Sequence, residues 1–173
     1  AIKKYIQDNI PFNNLLISSP DVGGMKRATI LASKLGVGVI TIYKERDYSK
    51  INQVETMEVI GKVKDKDVFL IDDILDTGGT VYNAVKILKE KGANKVYFAC
   101  SLCLLNDKAV ERMDELYDNG LLEKIIATDA VYFENDFAEN HPWLEIIPIS
   151  DYFAQAIFNL HFKKSINQLF DKD

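Results

Sequence analysis

A chain of 173 residues, 47% of them apolar and 27% charged, suits one folded domain with a substantial core. Its formal net charge of −5 argues against nucleic acid as the main partner, so an anionic ligand must be met locally, by loop amides, single cations or a metal ion. No apolar stretch reaches transmembrane length and no signal peptide is visible; no membrane partner is expected, and the cytoplasm is the expected compartment.

Ile2, Tyr5, Ile6 and Ile10 recur at helical spacing from the first residue and form a stripe that needs a neighbour. Asn14 to Ser18 reads as a strand, Met25 to Leu35 as a helix ending at Gly36, and Val37 to Tyr43 as a second strand. Asp47 to Gln53 follows neither period and reads as a loop. Glu55 to Val63 alternates weakly before Asp65-Lys66-Asp67, as a small antiparallel strand and turn would. Val68 to Ile71 is a continuous β-branched and aromatic run, the pattern of a strand buried on both faces. A helix over Thr80 to Lys91 ends at Gly92. Lys95 to Leu104 reads as a strand, Asp107 to Leu116 as a helix and Lys124 to Thr128 as a strand.

Glu134 to Pro142 is acidic and proline-terminated and reads as a surface loop. A last strand over Glu145 to Ile149 precedes a helix over Asp151 to His161, and Tyr152, Phe153, Phe158 and Phe162 there serve either the core or a contact surface. Strands alternating with helices imply right-handed βαβ units: an α/β fold with a mostly parallel central sheet flanked by helices. Cys100 and Cys103 sit in an apolar run without a second pair, which favours buried reduced thiols over a metal or redox site. Neither His141 nor His161 has metal-ligand spacing, and His161 reads as structural.

The segment Val68 to Thr80 carries the most chemistry. Its apolar strand ends in Asp72 and Asp73, then Asp76, then Thr77-Gly78-Gly79-Thr80 at the start of a helix. Carboxylates at the carboxyl end of such a strand can accept hydrogen bonds from ribose hydroxyls or attract Mg²⁺ through water. Gly78 and Gly79 allow backbone amides to approach a phosphate, the helix N-terminus adds partial positive charge, and Thr77 and Thr80 offer hydroxyl donors. Turn chemistry alone would explain one of these residues, not their coincidence. The glycine spacing fits neither a Walker A loop nor a dinucleotide fingerprint, which leaves a sugar monophosphate as the favoured ligand.

This segment resembles the phosphoribosyl pyrophosphate motif shared by type I phosphoribosyltransferases and ribose-phosphate pyrophosphokinases (phosphoribosyl pyrophosphate synthetases). Ser18-Ser19-Pro20-Asp21-Val22-Gly23-Gly24 resembles the synthetases' pyrophosphate loop, Ile42-Tyr43-Lys44-Glu45-Arg46 their catalytic flexible loop, and Glu58 to Val63 the hairpin before the main motif. Ala109 to Arg112 and Ser165 to Phe170 also match, so the resemblance runs in order through nearly the whole chain.

The resemblance implies a type I phosphoribosyltransferase-like fold, with residues 1–173 as a single domain corresponding to the carboxyl-terminal domain of a two-domain synthetase. The activity it implies is ribose-phosphate diphosphokinase: transfer of diphosphate from Mg-ATP to the C1 hydroxyl of ribose 5-phosphate, giving phosphoribosyl pyrophosphate and AMP. Asp72, Asp73, Asp76, Thr77, Gly78, Gly79 and Thr80 would bind ribose 5-phosphate; Asp21, Gly23 and Gly24 the diphosphate; Asp21, Asp72 and Asp73 would approach Mg²⁺, directly or through water. Lys44 and Arg46 would stabilise the transferring group, facing one side of an extended segment with Glu45 opposite. The family also implies a homo-oligomer, and an isolated domain of this kind would not complete turnover.

Departures from the family pattern are Glu45 for a second basic residue, Ser101-Leu102 for Thr-His, Asn106-Asp107-Lys108-Ala109 for Ser-Gly-Pro-Ala, and Thr128-Asp129-Ala130 for Thr-Asn-Ser/Thr. Regulation by phosphate or nucleoside diphosphate therefore does not carry over with the resemblance. A free-standing phosphoribosyltransferase and a non-catalytic synthetase-associated subunit are the alternative readings.

Overall fold

A computed structural model describes residues 1–46, 55–134, 136–167 and 169. The elements are α1 (Ile2–Asn9), β1 (Leu15–Ser18), α2 (Met25–Leu35), β2 (Gly38–Val39), β3 (Thr41–Arg46), β4 (Glu55–Ile60), β5 (Asp67–Ile71), β6 (Ile74–Leu75), α3 (Gly79–Glu90), β7 (Val96–Cys100), β8 (Leu102–Cys103), α4 (Ala109–Asp118), β9 (Lys124–Thr128), α5 (Phe137–Asn140), β10 (Leu144–Ile147) and α6 (Ser150–His161).

Six strands form a parallel sheet in the order β10-β9-β7-β5-β1-β2. Strand alternation divides its apolar residues between two faces. Val68, Leu70, Val96 and Phe98 pack beneath Val81, Val85 and Leu88 of α3 and Met113 and Leu116 of α4. Phe69, Ile71, Tyr97 and Ala99 face Ile6 and Ile10 at α1 and Ala28 and Ala32 of α2. The stripe at the start of the chain is therefore core, and Val68 to Ile71 is buried on both faces as its composition requires.

Two predicted strands are broken. Val37 to Tyr43 leaves the main sheet at Ile40, whose carbonyl accepts from Ser18 Oγ at 2.9 Å; beyond it β3 pairs antiparallel with β4 in a separate ribbon. Lys95 to Leu104 bends at Ser101, because the amides of Ser101 and Leu102 both turn to the carbonyl of Asp73 (3.1 and 2.8 Å). β8 then pairs with β6 in a short parallel ladder of its own. The segment Glu134 to Pro142, expected to be a loop, contains α5; its Phe137 ring lies 4.5 Å from the His141 ring, and His141 lies 5.3 Å from buried Trp143. Cys100 and Cys103 are buried free thiols. Helix α6 turns its apolar side outward: Phe153, Ile157 and Leu160 are exposed while Asn159 is buried, donating to the Ser165 carbonyl at 3.1 Å. His161 is exposed, edge-on to Phe162.

Candidate functional site

Numbered along the chain, the main-sheet strands run 2-1-3-4-5-6 across the sheet, so the strand order reverses between β1 and β5. Chains leave these two neighbours in opposite directions across the sheet, which opens a crevice at their carboxyl ends. Both phosphate-like loops emerge there: Ser19 to Gly24 after β1, and Asp72 to Gly78 after β5. A cleft of about 250 Å³ is lined by Asp21, Asp72, Asp73, Asp76, Thr77, Gly78, Gly79 and Thr80 together with Ile74, Leu75 and Val81.

The β5 loop is held open by backbone bonds. The Asp72 amide extends the ladder to the Ala99 carbonyl, and the Asp73 and Leu75 carbonyls each accept two amides from the chain after β7. Asn106 braces Asp76 twice, through Nδ2 to Oδ1 at 2.7 Å and through its amide to the Asp76 carbonyl at 3.0 Å. Arg112 of α4 donates to the Thr77 carbonyl. Gly78 has φ +76°, a conformation that favours glycine, and a Cβ there would lie 3.1 Å from Met113 Cε, so a larger residue would also press on that side chain. Helix α3 starts at this point, and its first-turn amides, which have no intrahelical acceptors, open toward the loop.

The β1 loop lies beside it. The Gly24 amide donates to Asp21 Oδ1 at 3.2 Å at the start of α2. A Cβ on Gly24 would fall 2.0 Å from Ser19 Oγ and 2.8 Å from Ser19 Cβ, so the β1 loop folds back on itself too tightly for a larger residue, while the same Cβ would meet Asp72 Oδ1 of the β5 loop only at 3.7 Å. Gly23 is exposed at the tip.

Arg27 of α2 joins the loops electrostatically: Nη2 donates to Asp72 Oδ1 and Nη1 to Asp73 Oδ2, each at 2.9 Å. Asp72 also accepts the Asp73 amide at 2.9 Å. The two carboxyls nevertheless titrate in opposite directions. Burial pushes Asp72 up to about 6, and the charges of Asp73 and Asp21 add to the rise against the amide that Asp73 donates. The Arg27 guanidinium holds Asp73, which is mostly exposed, below the usual carboxylate range.

Among the described residues no three His, Cys, Asp or Glu side chains converge to hold a metal ion. The donor set here suits a hydrated Mg²⁺ held through water and ligand oxygens, not a protein cage.

Of the residues singled out in the sequence, the structure brings Asp21, Asp72, Asp73, Asp76, Thr77, Gly78, Gly79 and Thr80 into one cleft, with Gly24 at its seam. Lys44 and Arg46, expected within a loop, lie on β3, in backbone register with Met57 and Glu55; their side chains and the loop from Asp47 to Gln53 are outside the described residues. Arg27, Asn106 and Arg112 were not foreseen as site residues. Arg27 carries a signal: a basic residue in the first turn of a helix, without an acid beside it, is unfavourable unless a carboxylate or ligand compensates from elsewhere.

The chain matches the phosphoribosyl transferase domain family over residues 1–141. It is 40% identical to a ribose-phosphate pyrophosphokinase of Chlorobaculum tepidum, over 92% of this chain and 46% of that protein. It is 38% identical to the ribose-phosphate pyrophosphokinase of Campylobacter jejuni, over 92% of this chain and 48% of the relative. The crystal structure of phosphoribosylpyrophosphate synthetase from Mycobacterium smegmatis superposes with a TM-score of 0.80 at 29% identity, covering 94% of this chain and 50% of that one. The chain thus spans about half the length of the curated relatives it matches.

Proposed function

The chain belongs to the phosphoribosyl transferase domain family, and from that premise we propose that it supplies the ribose 5-phosphate and diphosphate loops of a ribose-phosphate diphosphokinase, as the carboxyl-terminal domain of the complete enzyme. The observation that carries this reading is the meeting of two phosphate-type loops at the switch point, where Asp21 of the first and Asp72 to Thr80 of the second line one cleft.

In this reading the amides and hydroxyls of Thr77 to Thr80 take the 5-phosphate at the N-terminus of α3. Asp72 and Asp73 accept from the ribose diol, orienting the C1 hydroxyl toward the Asp21–Gly24 loop, where the diphosphate of ATP is held. Asp76, fixed by Asn106, faces the same cleft. Mg²⁺, when bound, neutralises charge on the transferring phosphates. Lys44 and Arg46 are proposed to stabilise the charge that develops as AMP departs, worth a factor of about a hundred or more in rate. Such transfer requires no covalent intermediate, only alignment and charge compensation.

Because the chain spans half of its relatives' length, we further propose that the cleft binds sugar phosphate but does not complete turnover by itself, the adenine contacts coming from elsewhere in the complete enzyme. The outward apolar face of α6 supports assembly into a homo-oligomer. No helix among the described residues is long and apolar enough to cross a membrane.

Calorimetric titration of the chain with ribose 5-phosphate tests the reading. The parent should bind, and Asp73→Asn should bind at least severalfold more weakly while melting at nearly the same temperature, since Asp73 is exposed. Equal affinities would remove Asp73 from the site. Pyrophosphate release from phosphoribosyl pyrophosphate that depends on an added base would replace the diphosphokinase with a phosphoribosyltransferase.

A further inference from the structure

We propose that Arg27 is the resident counter-ion of the acidic corner, which a divalent cation displaces from Asp72 and Asp73 on binding, so that Arg27 sets how tightly the chain holds that ion. The link to the substrate rests on the pentose-phosphate reading above; the exchange itself rests on the geometry of three side chains.

The guanidinium does not form a two-pronged pair with one acid. Its two terminal nitrogens go to different carboxylates, Asp72 and Asp73, at 2.9 Å each. It therefore spans the gap between them, where a hydrated cation accepted by both acids would have to sit. Both cannot hold that place at once.

The guanidinium is also positioned to leave. The Arg27 side chain is 49% exposed and that of Asp73 58%, so the Asp73 arm is open to water and weakly held; the Asp72 side chain is 18% exposed, and that arm is the one an entering cation must replace. Its placement in the first turn of α2 works in the same direction, because the positive end of the helix opposes a cation there and the acids that pair with it lie 45 and 46 residues away.

Charge explains why a counter-ion is needed. Asp21, Asp72, Asp73 and Asp76 all line one small cleft. Arg27 offsets part of their mutual repulsion. Lying three residues beyond Gly24, it stays within one helical turn of the β1 loop after release, where phosphate oxygens would receive it.

The test uses the whole chain and Mn²⁺ alone, with the free ion followed by electron paramagnetic resonance during titration. Arg27→Met, which keeps the stem and removes the charge, should bind Mn²⁺ about tenfold more tightly than the parent. Arg27→Lys, which keeps the charge, should stay within about threefold of the parent, and Arg27→Gln repeats the comparison should the Met variant fail to fold. Equal or weaker Mn²⁺ binding by the uncharged variants, or none by any form, overturns the proposal. Ribose 5-phosphate calorimetry on the parent separates the two readings. Absent heat with the Mn²⁺ difference intact removes the pentose phosphate and leaves the exchange; heat without that difference does the reverse.

Discussion

Asn106 grips Asp76 at two points, its side-chain amide on Oδ1 at 2.7 Å and its backbone amide on the Asp76 carbonyl at 3.0 Å, across the 30 residues that separate them. In the sequence Asn106 figured only as a departure from the family pattern. In the fold it fixes the acid that precedes the phosphate loop. Partners that orient metal ligands are worth about tenfold or more when removed, and a residue that orients a sugar-phosphate contact is expected to act in the same way. Asn106→Ala should weaken ribose 5-phosphate binding by about three- to tenfold. Because the pair is exposed, the thermal midpoint should shift by only a degree or two. Calorimetry alongside a thermal melt checks both; unchanged affinity would leave Asp76 outside the site.

Gly24→Ala should distort the β1 loop. The added Cβ would lie 2.0 Å from Ser19 Oγ and 2.8 Å from Ser19 Cβ, and Ser19 is buried, so rotating the hydroxyl away does not relieve the clash. A cost of about 1–3 kcal/mol is expected, as for other overpacked sites. Ser19→Gly in the same chain removes both clashing atoms and should recover part of the loss. Urea unfolding of the single and double variants measures this, and a double variant no more stable than Gly24→Ala alone would contradict the contact.

The Asp72 carboxyl predicts a slope of stability with pH. Burial raises its pKa to about 6 in the folded chain, above the ordinary 3.8, so the folded state binds the proton more tightly than the unfolded state. The contribution of Asp72 is therefore fully present below about pH 4, declines as pH rises, and is gone above about 6. A shift of this size corresponds to something on the order of 2–3 kcal/mol. Asp73 has the opposite sign, so the whole-chain slope is shallower, and Asp72→Asn isolates the effect. The stability of Asp72→Asn relative to the parent should improve between pH 4.5 and 7. A constant difference across that range would contradict a raised Asp72.

Local pattern was enough to read most elements. Gly36 closes α2 in the left-handed conformation, and the β-branched and aromatic run Val68 to Ile71 reads as a strand covered on both sides, as it is. The breaks at Ile40 and Ser101 were hidden because distant partners impose them: Ser18 Oγ for the first, the Asp73 carbonyl for the second. The site followed the same division. Asp72 to Thr80 is contiguous and legible as a motif, whereas Arg27 meets its acids 45 and 46 residues away, a pairing no local period encodes. Helix α5 escaped notice because four residues are too few for a periodic signal, and because what secures it is the packing of Phe137 on His141 and of His141 on Trp143.

That last cluster gives a prediction with its own reporter. Trp143 is the single tryptophan of the chain and is 1% exposed. Its indole Nε1 donates to Asp114 Oδ1 at 2.6 Å, and the same oxygen lies 3.0 Å from His141 Nδ1. Asp114 thus ties α4 to the segment that leads into β10. Asp114→Ala leaves a buried indole N–H without its acceptor, which typically costs about 1–3 kcal/mol. Asp114→Asn keeps an oxygen on the indole and should lose less. Urea unfolding followed by the Trp143 emission, which shifts to longer wavelength as the ring meets water, should show a lower midpoint for Asp114→Ala at an unchanged denaturant slope. The cleft lies at the carboxyl ends of β1 and β5, whereas Trp143 precedes the amino end of β10, so ribose 5-phosphate affinity under folding conditions should stay within about twofold of the parent. A native emission maximum already red-shifted in Asp114→Ala would show instead that this bond keeps the ring buried, and an unchanged midpoint would mean that it contributes nothing to the fold.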